Sequence, residues 1–114
     1  MLILTVSYDR ASLNRQIQEL EASGHVIVPS SSLDNCLNAI AGGPYQLLVI
    51  GPTVMMVDRM RLADVSRKIR PEARIVSIEH RGSPNLKKAD YRIQAGHEYE
   101  LIEVIDQLQY KRYL

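Results

Sequence analysis

The residues of this chain that could do chemistry stand where short apolar runs end. Ser7, Tyr8 and Asp9 follow the run at 2–6, Gly51, Pro52 and Thr53 follow the run at 47–50, and Glu79 and His80 follow the run at 73–78. A magnesium–phosphate site would need two or three converging carboxylates, because Mg²⁺ takes oxygen ligands. Asp9 and Glu79 are the only acids in these segments, and Asp9 reads as the cap of a following helix, where its side chain satisfies free backbone N–H groups. A phosphate cradle would need several glycines after a strand and before a helix. Gly51 is alone there, Pro52 removes a backbone donor, and Gly42-Gly43 precede their strand rather than follow it.

Nucleophilic and zinc chemistry find no better footing. Ser7 has no histidine beside it in sequence, so a base would have to come from elsewhere in the fold. Cys36, the single cysteine, lies beside the apolar stripe of a helical segment and reads as a small packed side chain. His25, His80 and His97 are scattered, without zinc-ligand spacing. The expectation is a protein without catalytic residues, metal or cofactor.

The elements that would position these residues follow from periodicity. Apolar runs at 2–6, 25–28, 45–50 and 73–78 read as strands, the first nearly continuous as in a strand covered on both faces, with Pro29 ending the second. A short fifth strand is expected at 90–93. Between them, Leu13, Ile17 and Leu20, then Leu33, Leu37 and Ile40, then Leu62, Val65 and Ile69 recur at helical spacing. A last helix from His97 to about Leu108 carries Leu101, Val104, Ile105 and Leu108 on one side. Asp9 and a serine near 30–32 serve as N-terminal caps, and Gly24, Gly42-Gly43 and Pro71 as stops. The segment 79–89 has room for a turn or two of helix.

Strands alternating with helices predict an α/β fold, a doubly wound, five-stranded parallel sheet. The runs at 25–28 and 90–93 are the shortest, which suits edges and an order of 2-1-3-4-5, with a shortened or missing fourth helix. Residues 1–114 fit one domain with a real core. A net charge of +1 exerts no global pull on nucleic acid or anionic membrane, and the apolar start is too short to span a bilayer. One thiol agrees with a reducing cytoplasm.

In order and spacing, "ILTVSYDRASLNRQIQELEASGHVIV", "YQLLVIG" and "ADYRI" resemble the receiver domain of bacterial response regulators, over nearly the whole chain. The resemblance implies a flavodoxin-like fold and a signalling role of the two-component type. It also implies where the phosphorylation residues should be. The acidic pair that holds Mg²⁺ falls on Ser7 and Tyr8, the phosphoacceptor aspartate on Gly51, the Ser/Thr of strand four on Glu79, and the lysine after strand five on or near Gln94. None of these positions keeps the family residue, so the implied site looks emptied. Glu79 would also repel an incoming phosphate.

What remains is surface. In the family, the face built from helix four, strand five and helix five commonly carries dimer or partner contacts, which here points to Tyr91, Ile93 and Tyr99. Tyr91 and Ile93 could equally pack under the last helix. The leading expectation is a phosphorylation-independent module that binds a protein partner or itself. The alternative is a phosphate ligand or nucleic acid held by Arg81, Lys87, Lys88 and Arg92, although no base-reading motif interleaves these charges.

Overall fold

The computed structural model describes residues 1–112, with side chains through residue 109. Strand β1 (Leu2–Val6) leads through helix α1 (Arg10–Glu21) to β2 (Val26–Ser30), and α2 (Leu33–Ala41) leads to β3 (Leu47–Ile50). Helix α3 (Met56–Ile69) precedes β4 (Arg74–Glu79) and β5 (Tyr91–Gln94), and a 3₁₀ turn at Glu98–Glu100 runs into α4 (Leu101–Arg112). All strand pairs are parallel, in the order β2-β1-β3-β4-β5. The predicted architecture is therefore the observed one. No helix lies between β4 and β5, where the sequence predicts a shortened or missing one.

Local signals explain the helix starts. The Asp9 carboxylate accepts the Ser12 N–H at 3.0 Å, and the Ser32 hydroxyl accepts that of Asn35 at 3.2 Å. Gly24 sits at φ 80°, a left-handed turn after α1 that glycine adopts without strain. Pro29 does not end the second strand as expected. It lies within β2 opposite Thr5, which an edge strand tolerates because one side needs no ladder donors.

The period-2 alternation of the strands divides the core into two layers. Leu4, Val6, Leu48, Ile50 and Ile75 face α2 and α3, while Ile3, Leu47, Val49, Val76 and Ile78 face α1 and α4. On two helices the inner stripe is not the one apolar spacing predicts. In α1 the buried residues are Ser12, Gln16 and Leu20, with Leu13 and Ile17 only half-buried. In α3 they are Arg59, Leu62, Ala63 and Ser66, and Ile69 is 40% exposed. Both helices thus carry a long polar side chain into the protein, and both meet the carboxyl ends of the central strands.

Candidate functional site

Alternation along β1 and β3 turns Thr5, Ser7 and the Cα substituent of Gly51 toward α1, on the same side as Ile3, Leu47 and Val49. Gln16 reaches that point from α1, fully buried. Its Nε2 donates to Thr5 Oγ1 at 2.6 Å and to the Val6 carbonyl at 3.4 Å. Its Oε1 has no donor partner among the described residues and stands over Gly51. A β-carbon on Gly51 would lie 2.2 Å from Gln16 Oε1 and 2.7 Å from Ser7 Oγ, inside any permitted contact. The glycine is required by close approach, not by its backbone angle, since it is absent from the glycines at positive φ.

Thr53 closes the crevice from above. Its hydroxyl lies 2.7 Å from Ser7 Oγ and accepts the backbone N–H groups of Tyr8 at 2.8 Å and Asp9 at 3.1 Å. The loop after β1 is thereby stapled to the loop after β3. Tyr8 extends the staple, donating its hydroxyl to Asp58 Oδ2 at 2.8 Å on the first turn of α3. Partial burial and then the Asp58 carboxylate push the Tyr8 phenol above its ordinary range.

On the opposite face, alternation along β4 sets Ser77 and Glu79 toward α3, and Arg59 meets them there. Its guanidinium donates to the carbonyls of Val54, Gly51 and Ile78 at 2.7, 2.5 and 2.5 Å and to Ser77 Oγ at 2.5 Å. The Ser77 hydroxyl in turn donates a hydrogen bond to Glu79 Oε2 at 2.8 Å, and the same oxygen accepts the Leu86 N–H at 2.8 Å. Burial lowers the Arg59 pKa, and the facing Glu79 opposes that shift. A buried cation, a hydroxyl and a buried carboxylate are thus satisfied as one network, which ties α3, the sheet and the 80–90 segment together.

The predicted positions separate into these two clusters. Ser7 and Gly51 come together on the α1 side, joined through Thr53 by the Tyr8 backbone N–H, whereas the Tyr8 side chain turns to Asp58 of α3 and Glu79 points to the α3 side, occupied by Ser77 and Leu86. Its charge therefore faces Arg59 rather than the crevice over Gly51. Gln94 ends β5 as an exposed residue, paired with Glu79 in the sheet register and lining the same shallow hollow, apart from the crevice over Gly51. Among the described residues, no three His, Cys, Asp or Glu side chains converge as metal ligands. Cys36 is buried, and its thiol is pushed up to about 12 by loss of water.

The expected interaction face divides. Tyr99 is exposed and Tyr91 half-buried, but Ile93 is only 3% exposed, packed in the layer under α4. Ile93 is therefore a core residue and not part of a contact face, because alternation along β5 turns it inward. The four basic residues do not act as one patch. All four are exposed, but Lys88 pairs with Asp64 and Arg92 is held by the Leu86 carbonyl at 2.7 Å, which separates them from Arg81 and Lys87. Two important residues escaped the sequence reading, Gln16 and Arg59, while Thr53 was placed after the third run but given no role. Gln16 and Arg59 were visible in principle, four residues before Leu20 and three before Leu62 on the inner stripes.

Solved structures carry the same fold. A response regulator receiver domain protein (CheY-like) from Methanospirillum hungatei JF-1 superposes with a TM-score of 0.82 at 21% identity, covering 98% of this chain and 95% of its own. The response regulator TrrA from Thermotoga maritima, in complex with Mg²⁺-BeF, gives 0.78 at 20% identity, over 94% and 97%. The same regulator in complex with the histidine kinase ThkA gives 0.77 at 21%, over 94% and 97%. No protein-family model matches the chain, and no curated protein matches it in sequence.

Proposed function

We propose that this chain is a receiver-like signalling module that works through protein contacts and independently of phosphorylation, with Gly51 standing where the phosphoacceptor aspartate would be. One observation carries the reading. The space an aspartate side chain would enter at Gly51 is filled by Gln16 Oε1 and Ser7 Oγ, at 2.2 and 2.7 Å from a β-carbon built there. The position is the right one for such a site, because Gly51 follows β3 beside β1, where strand order reverses in a 2-1-3-4-5 sheet. Both neighbouring loops are closed over it by the Thr53 hydroxyl.

The Arg59 network supports the same reading from the other face. A receiver that switches must let the loop after β3 and the end of β4 move when the phosphoryl group arrives. Here a single guanidinium holds the carbonyls of Gly51, Val54 and Ile78 and the Ser77 hydroxyl at once. That arrangement favours one conformation over two. A solved neighbour with the same fold is in complex with a histidine kinase, which favours a protein as the partner here.

The test is light scattering and ¹⁹F NMR with Mg²⁺ and beryllofluoride. The expected result is no bound fluoride signal and a mass that does not change with either additive. A bound, saturable fluoride signal would overturn the reading.

A further inference from the structure

Three of the four methionines of the chain fall within residues 55–60, and the structure puts them on one surface. Met55, which caps α3, and Val57 and Met60 on it are 61%, 69% and 53% exposed, a cost in apolar surface that core packing does not require. Met56 and Met60 line a groove of about 360 Å³ whose far wall is Pro84, Leu86 and Lys87. The groove exists because β4 passes to β5 without a helix. A parallel crossover ordinarily lays a helix on the sheet beside its neighbour. Here the 80–90 segment runs instead, inserting only Leu86 into the core.

The edges of the groove are positive. Residues 80–88 contain Arg81, Lys87 and Lys88 and no acid. Lys88 reaches across to Asp64 of α3 and neutralises the one carboxylate among the lining residues. Lys87 is then the uncompensated charge of the groove, and Arg81 lines the adjoining hollow, which shares Asn85 with it. Methionine is flexible and polarizable, so a methionine-lined surface adapts to an apolar helix face.

We propose that this groove receives an acidic amphipathic helix from a partner protein, its apolar side on Met56 and Met60 and its carboxylates toward Lys87 and Arg81. The proposal rests on the reading of the chain as an interaction module and supplies the partner's chemistry. A helix fits because the groove lies along α3 in the layer a crossover helix would occupy. The apolar lining continues past the groove onto exposed Met55, in a neighbouring hollow that shares Met56 and Pro84 with it, which is more than a small ligand would cover. Groove-to-groove pairing of two copies would bring like charges together at Lys87, which disfavours it.

The test uses protein labelled with ¹³C at the methionine methyls and two designed helical peptides. Both carry leucines at i, i+3 and i+7, one with glutamates and one with lysines elsewhere. The glutamate peptide should shift the signals of Met55, Met56 and Met60 saturably and leave Met1 unmoved. The lysine peptide should bind at least about tenfold more weakly, or about 1.4 kcal/mol. Lys87→Glu with Arg81→Glu should reverse that preference, and Met60→Glu, at an exposed site, should abolish binding while keeping the native circular dichroism. Silent methyls, or equal binding of both peptides, would overturn the proposal. So would methyl shifts on simple concentration of the protein that Met60→Glu removes, since a second copy would then fill the groove. A chain that binds beryllofluoride yet still prefers the glutamate peptide would refute phosphorylation independence and leave the groove assignment standing. A chain silent to both would do the reverse.

Discussion

The side-chain amide of Gln16 stands over the α-carbon of Gly51, so close that a β-carbon there would lie 2.2 Å from Gln16 Oε1. The two residues come from α1 and from the end of β3, and they define each other. Glycine admits the glutamine, and the glutamine, anchored by Thr5 at 2.6 Å, excludes any larger residue. Gln16 Oε1 accepts no hydrogen bond from the described residues in return, a buried acceptor left unsatisfied at a cost of roughly 1–3 kcal/mol. This pair makes a direct prediction. Gly51→Ala should destabilise the protein by about 1–3 kcal/mol through overpacking. In Gln16→Ala the same change should cost much less, and urea denaturation of the four-member cycle would show the coupling. Purely additive costs would mean that the two side chains do not compete for this space.

Thr53 should behave as a hydroxyl site and not as a packing site. Thr53→Val keeps the shape but leaves the Tyr8 and Asp9 N–H groups and Ser7 Oγ without their shared partner. A loss of about 1–3 kcal/mol is expected. Thr53→Ser should retain most of the wild-type stability. Faster amide exchange at Tyr8 and Asp9 in the valine variant alone would locate the effect.

Arg59 should resist conservative replacement. Its planar fork serves four acceptors in different directions, which a lysine ammonium cannot match. Arg59→Met removes the cation and leaves Glu79 buried at 8% exposure without it. The expected loss, read by thermal or chemical denaturation, is that of buried carbonyls left without a donor, about 1–3 kcal/mol for each that finds no new partner. Arg59→Lys should recover only part of it, and adding Glu79→Gln to Arg59→Met should recover more.

Cys36 sets a limit at alkaline pH. Its folded pKa of about 12 is raised above the ordinary thiol value, so folding favours the protonated form. That contribution is complete below the unfolded pKa and is lost as pH rises from about 9 toward 12. Melting temperature should fall across that range, and Cys36→Ser or Cys36→Ala should flatten this component of the fall. In the native protein at neutral pH the thiol should resist alkylation, becoming reactive only in denaturant.

Much of this protein was already written in local sequence. Apolar runs of strand length, caps such as Asp9 and stops such as Gly24 act over a few residues, and they define the elements and their order. The shortness of the runs at 25–28 and 90–93 pointed to the edges of the sheet, where β2 and β5 lie. Apolar periodicity failed on α1 and α3 for a physical reason. Gln16 and Arg59 occupy inner positions where a hydrophobic count sees only a gap.

What occupies the space over Gly51 was decided by the tertiary structure alone. Ser7 and Thr53 lie 46 residues apart, and only the pairing of β1 with β3 brings their hydroxyls to 2.7 Å. Alternation along β4 puts Ile75, Ser77 and Glu79 on one face, but that α3 covers this face, and hence the share of Glu79 in the Arg59 network, was decided by packing. The methionine cluster at 55–60 is likewise legible as composition, but its exposure exists only because no helix between β4 and β5 comes to cover it. Burial is a property of neighbours, and neighbours are chosen by packing.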